Sequence, residues 1–156
     1  MEDNIYEPPK SDIRVAEGKP GSIVKAVALG ALVEVAGSFL VGIVIGVIYV
    51  VLLSRQGVAL QEIEKTLTQM DPFSGIGLLA LTLGSLVSVL AGYICASIAN
   101  STSYKAAYML AAISCALAIF SGYGVYSQGV LVLMGGLSVA CVLVGAWWRI
   151  GRLKAV

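Results

Sequence analysis

Polar and apolar residues in this chain are segregated into long blocks. A polar opening, residues 1–22, gives way to an unbroken apolar stretch at about 23–53. A mixed segment follows, and then three more apolar stretches at about 76–99, 104–126 and 130–148. A helix needs about 20 apolar residues to cross a hydrocarbon core roughly 30 Å thick. The pattern therefore predicts an all-α fold, an integral membrane four-helix bundle built from four transmembrane helices at residues 23–149. At about 1.5 Å per residue the first span is roughly 45 Å long, so it must tilt or leave part of its length in the interface. The other three are close to the required length.

The connections divide the bundle further. Residues 100–103 and 127–129 are short links, which predicts that the second, third and fourth spans are antiparallel neighbours. The first loop is longer, and in it Leu60, Ile63, Leu67 and Met70 recur on one helical face. This predicts a short amphipathic surface helix at about 59–70, ended by Asp71-Pro72. Its polar face mixes Glu62, Glu64 and Lys65, which argues against a basic lipid sensor. Residues 1–22 carry Pro8, Pro9 and Pro20 among alternating charges and read as a disordered tail. They do not have the basic opening and short apolar core of a cleavable signal.

Charge then gives a direction. Lys10, Arg14, Lys19, Lys25, Lys105, Arg149, Arg152 and Lys154 fall on one side of the spans, against Arg55 and Lys65 on the other. Basic residues stay cytoplasmic, so the expected topology is N-in and C-in, with residues 150–156 as a basic cytoplasmic tail. Lys25, Tyr104, Lys105, Trp147, Trp148, Arg149 and Arg152 are the expected interface anchors on that side.

Composition narrows the chemistry. Of 156 residues, 58% are hydrophobic and 12% charged, far from the balance of a soluble domain. A net charge of +1 speaks against nucleic acid, and the absence of histidine removes the commonest proton shuttle and metal ligand. Cys95, Cys115 and Cys141 all lie in apolar stretches and read as small packing residues. No nucleophile–base set, phosphate-cradling loop or metal-ligand spacing is present, so no enzyme activity, cofactor or metal is expected. The lipid bilayer is the expected surrounding.

Small residues predict how the spans meet. Ala80, Gly84, Ser88, Gly92 and Ala96 recur every four residues in the second span. The first span carries Ala26, Gly30, Ser38, Gly42 and Gly46 in the same period, with Glu34 in the one remaining place. Such stripes let backbones approach, which predicts close packing of spans one and two, or else a contact between copies. Thr82, Ser85, Ser88, Tyr93, Ser114 and Ser138 are the other polar groups at depth, and hydroxyls there ordinarily serve packing.

Glu34 is the one ionisable residue well inside a span. A carboxylate at mid-bilayer costs about 2.5–3.5 kcal/mol on insertion scales and marks a candidate proton or ion site. The alternative places it at the cytoplasmic boundary, paired with Lys25, Lys105 or water. The stretch Leu32-Val33-Glu34-Val35-Ala36-Gly37-Ser38 resembles the first-helix pattern of the small multidrug resistance exporters over seven residues. The resemblance implies that Glu34 exchanges protons for cationic aromatic drugs in a homodimer. Those exporters lack the long tail and the amphipathic first loop and carry a tryptophan in the third helix. The tail motif Tyr6-Glu7-Pro8-Pro9-Lys10-Ser11 is similar to the openings of small bacterial inner-membrane proteins, which implies that location.

Two functions follow as expectations. The first is a non-enzymatic accessory, interaction or protective subunit, because a bundle lined by glycine, alanine and serine leaves little room for a cavity; its partner would be another membrane protein or a second copy. The second is a small proton-coupled transporter working through Glu34.

Overall fold

The computed structural model describes residues 21–68 and 71–154, and all regular structure in them is helical. The elements are α1 (Ile23–Arg55), α2 (Leu60–Thr68), α3 (Gly75–Ala99), α4 (Lys105–Gly122) and α5 (Gln128–Lys154). Four of them, all but α2, are long and apolar enough to cross a membrane. Their outward faces expose large apolar side chains such as Leu32, Phe39, Leu86, Phe120 and Val132. Exposed apolar surface on this scale suits lipid and not water, and the four helices are consistent with a small integral membrane protein.

Local chemistry sets the helix ends. Ser22 begins α1 with its hydroxyl accepting from the Lys25 amide, and Ser74 begins α3 by accepting from Gly77 at 3.1 Å. Asp71 shapes the turn before α3, its carboxylate accepting from the Phe73 amide at 2.9 Å. Asn100, in the left-handed conformation, closes α3. The Gly21 amide donates to the carbonyl of Ala99 at 2.9 Å, so the entry to α1 also satisfies the end of α3.

Two boundaries differ from the sequence expectation. The third span stops at Gly122 and not at 126, because Gly124 takes a positive φ of 81° and turns the chain. The fourth does not stop at 148. It continues through the expected tail to Lys154, because Ile150 is buried with Ala96, Ala107 and Ala146 and carries the helix on. The loop helix forms at residues 60–68, packs on α1 and buries Ile63. Residues 1–20, with the Tyr6–Ser11 motif, and Met70 lie outside the described residues.

The packing order is α1–α3–α5–α4 around the bundle, with α1 and α5 on opposite sides. Helices α3 and α4, consecutive in the chain and joined by a short link, therefore face each other across the centre more than side by side. α3 packs more extensively on α5 than on α4, and α5 runs parallel to it, as the pairs Ser97 with Arg149 and Tyr93 with Trp148 show. The expectation of three successive antiparallel neighbours holds for α4 with α5. α3 also meets α4, as Ala96 with Ala107 shows, but less extensively than α5, which glycines bring closer. A Cβ built at Gly92 would fall onto the carbonyl of Val142, and one built at Gly145 onto the carbonyl of Val89. Close backbone approach of this kind is the main source of helix association in lipid.

The core is uneven along the axis. Ala26, Val27, Ala91, Cys95, Ala99, Ala106, Leu110, Ala111 and Val142 form a tight cluster at one end. Lys25, Lys105 and Arg149 lie at that end, here called the basic end. Toward the other end the stripes of α1 and α3 open, and a Cβ at Gly42, Gly46 or Gly84 would meet nothing within 4 Å.

This contrast makes a prediction. Gly92→Ala or Gly145→Ala forces α3 and α5 apart and should cost about 1–3 kcal/mol, the usual size of overpacking. Gly46→Ala should be neutral or slightly stabilising, since it only removes backbone freedom. Thermal unfolding of the purified variants in one mild detergent measures the order.

Candidate functional site

Glu34 lies on the inward face of α1 and is 7% exposed. Every other spanning helix supplies it with a hydroxyl. Ser88 of α3 donates to Oε1 at 3.1 Å, Ser138 of α5 donates to Oε1 at 3.4 Å, and Ser114 of α4 donates to Oε2. The small-residue stripes of α1 and α3 put Glu34 opposite Ser88, with Gly30 packed on Ala91 and Cys95 one turn away. Among the described residues no buried side-chain polar atom is left without a hydrogen bond.

Depth follows from helix geometry. Glu34 is nine residues from Lys25, Ser114 nine from Lys105, and Ser138 eleven from Arg149. At about 1.5 Å per residue the cluster is roughly 14–17 Å from the basic end. That is about half of a 30 Å hydrocarbon core. The carboxylate's partners are serines, while Lys25 and Lys105 are exposed at the bundle end.

A cavity of about 750 Å³ starts at Glu34 and extends away from the basic end. Its floor is Glu34 with Ser88, Ser114 and Ser138, and its far rim includes Pro72, Gly122 and Tyr126. Phe39, Leu81, Leu117 and Leu137 give it apolar walls, into which Ser38, Ser85 and Ser121 bring further hydroxyls. Among the described residues no lysine or arginine lines it, and Glu34 is the only formal charge. The arrangement suits a proton or a cation at the floor and apolar mass above it.

The sequence stripes therefore serve two ends. Gly30 is a packing residue as expected, meeting α3 and, through Leu110, α4. Gly92 approaches α5 instead of α1, and Ala96 is buried with Ala107 and Ala146. Ser38, Gly42, Ala80, Gly84 and Ser88 line the cavity, and Gly46 lies clear of any neighbour. A four-residue period drifts around a straight helix, so one stripe meets a different neighbour at each height.

The expected anchors gather at the basic end. Lys25, Lys105, Trp147, Trp148 and Arg152 are exposed there, and Tyr104 is half-buried against Tyr108, ring centres 6.2 Å apart. Arg149 turns inward, its Nε donating to Ser97 at 3.1 Å. Ser114 and Ser138 are site residues that the sequence reading assigned to packing. The available signal was their position near the middle of their spans, level with Glu34.

Accessibility tests this geometry. In a cysteine-free background, Ser38→Cys, Ser85→Cys and Ser121→Cys should react with a charged thiol reagent. Ala91→Cys and Ala107→Cys, in the tight half, should react at least tenfold more slowly; equal rates would contradict the described cavity. No protein-family model matches this chain, and neither a curated protein nor a solved structure is similar to it.

Proposed function

We propose that this protein is a small non-enzymatic transporter of the bacterial inner membrane that exchanges protons for a cation at Glu34. The observation that carries this reading is a buried carboxylate, held by a serine from each of three other helices, at the floor of a cavity that has no basic residue among the described ones. A bare carboxylate at this depth is costly, and neutralising it requires a proton or a cation. Both ligands claim the same two oxygens, so binding one displaces the other. That mutual exclusion is the minimal requirement for exchange, because each ligand shifts the protein toward the form the other has left.

The walls speak to the kind of cation. A strongly hydrated inorganic ion gains nothing from Phe39, Leu81, Leu117 and Leu137, whereas an organic cation with an apolar body buries its surface against them. With both termini cytoplasmic, as the distribution of lysine and arginine indicates, the cavity faces outward and the tight half closes the cytoplasmic side. A homodimer remains the working assembly in this proposal. An accessory role drew its support from a lack of room for a cavity, and about 750 Å³ of space removes that support.

Reconstitution tests the proposal. In proteoliposomes carrying a pH gradient, the wild type should release protons when an organic cation such as ethidium is added, and Glu34→Gln should abolish the response. Wild-type vesicles with no cation-driven proton flux across a panel of such compounds would sink the reading. A different membrane protein recovered repeatedly by mild-detergent cross-linking would favour the accessory role instead.

A further inference from the structure

A second depression, of about 320 Å³, lies on the exposed face where α3 meets α5, separate from the Glu34 cavity. Its aliphatic part is Leu86, Val89 and Leu90 of α3, with Leu86 60% and Leu90 52% exposed. Its other part is Tyr93, Trp148 and Arg152. Tyr93 and Trp148 meet edge to face, ring centres 6.4 Å apart and planes at 69°. The Arg152 guanidinium carbon sits 5.2 Å from the centre of the Trp148 ring. From Leu86 to Tyr93 the trough runs roughly 10 Å along the helix axis, with the aromatic and cationic part toward the basic end.

This is an ordered sequence of chemistries: an aliphatic trough, an aromatic plate and then a cation. Tyrosine and tryptophan sit at headgroup level because one end of each is apolar and the other polar. A guanidinium held over Trp148 keeps N–H groups that can donate to two oxygens of a phosphate. Among the described residues no acidic side chain lines the groove, so the ammonium of a zwitterionic headgroup would find no carboxylate in it. We propose that this groove binds an anionic phospholipid, its phosphate on Arg152 and one acyl chain along Leu86 and Leu90. The inference does not depend on Glu34 or on transport.

Intrinsic fluorescence tests it directly. The chain has two tryptophans, so Trp147→Phe leaves Trp148 as the one reporter. This variant is placed in phosphatidylcholine bilayers containing equal mole fractions of phosphatidylglycerol or phosphatidylcholine with brominated chains. Brominated phosphatidylglycerol should quench Trp148 as though enriched about fivefold, the scale of one cation near an anionic headgroup. Adding Arg152→Gln should bring the two lipids to equal quenching. Equal quenching before that substitution overturns the proposal, and so does a phosphatidylglycerol preference that survives it.

Discussion

Solvation of one carboxylate sets the register of this bundle. Hydrocarbon offers Glu34 no hydrogen bonds, so the protein must supply them from its own side chains. It does so with one serine from each of α3, α4 and α5, all at the same height. Sliding any of these helices by one turn, about 5.4 Å, would carry its hydroxyl out of reach. Loss of a donor to a charged acceptor is costly in a medium without water, so the polar cluster fixes what apolar packing alone leaves free.

Small residues do opposite things on the two sides of that cluster. Toward the basic end, alanine and glycine admit neighbouring backbones, and the helices close on one another around Ala26, Ala91, Cys95 and Leu110. Away from it, Gly42 and Gly84 face open space, and their lack of side chains contributes room. α1 continues 21 residues beyond Glu34, while α4 ends eight residues beyond Ser114. The cavity is enclosed between these two helices, α3 and α5 on that side of the cluster.

This also explains which features were legible in the sequence. The four apolar blocks gave the spans because hydropathy measures the solvent directly. Glu34 stood out because charge in a span is rare, and Gly30 could be placed because the stripe around it is dense. A stripe, however, specifies a face and leaves the partner open. Nothing in the spacing of Gly92 says that it meets Val142 on α5, since that depends on packing order around the bundle. Ser114 and Ser138 were hidden for the same reason, each being an ordinary hydroxyl until the fold points it at Glu34. The extension of α5 to Lys154 depended on Ile150 finding a buried place, a tertiary fact that outweighs the polar local composition.

The glycine contact between α3 and α5 has a mechanical consequence. Two parallel helices seated backbone on backbone at Gly92 and Gly145 have no side-chain layer between them to deform, so they behave as a single double-width strut. By contrast α1 has no packing with α5 and meets α3, α4 and the short α2 instead. α1 therefore lies as a long arm beside the paired α3 and α5, with Glu34 where its cavity-lining stretch begins. Since α1 runs on for roughly 30 Å beyond Glu34, any change of angle at the carboxylate would be largest in displacement at the far end of α1.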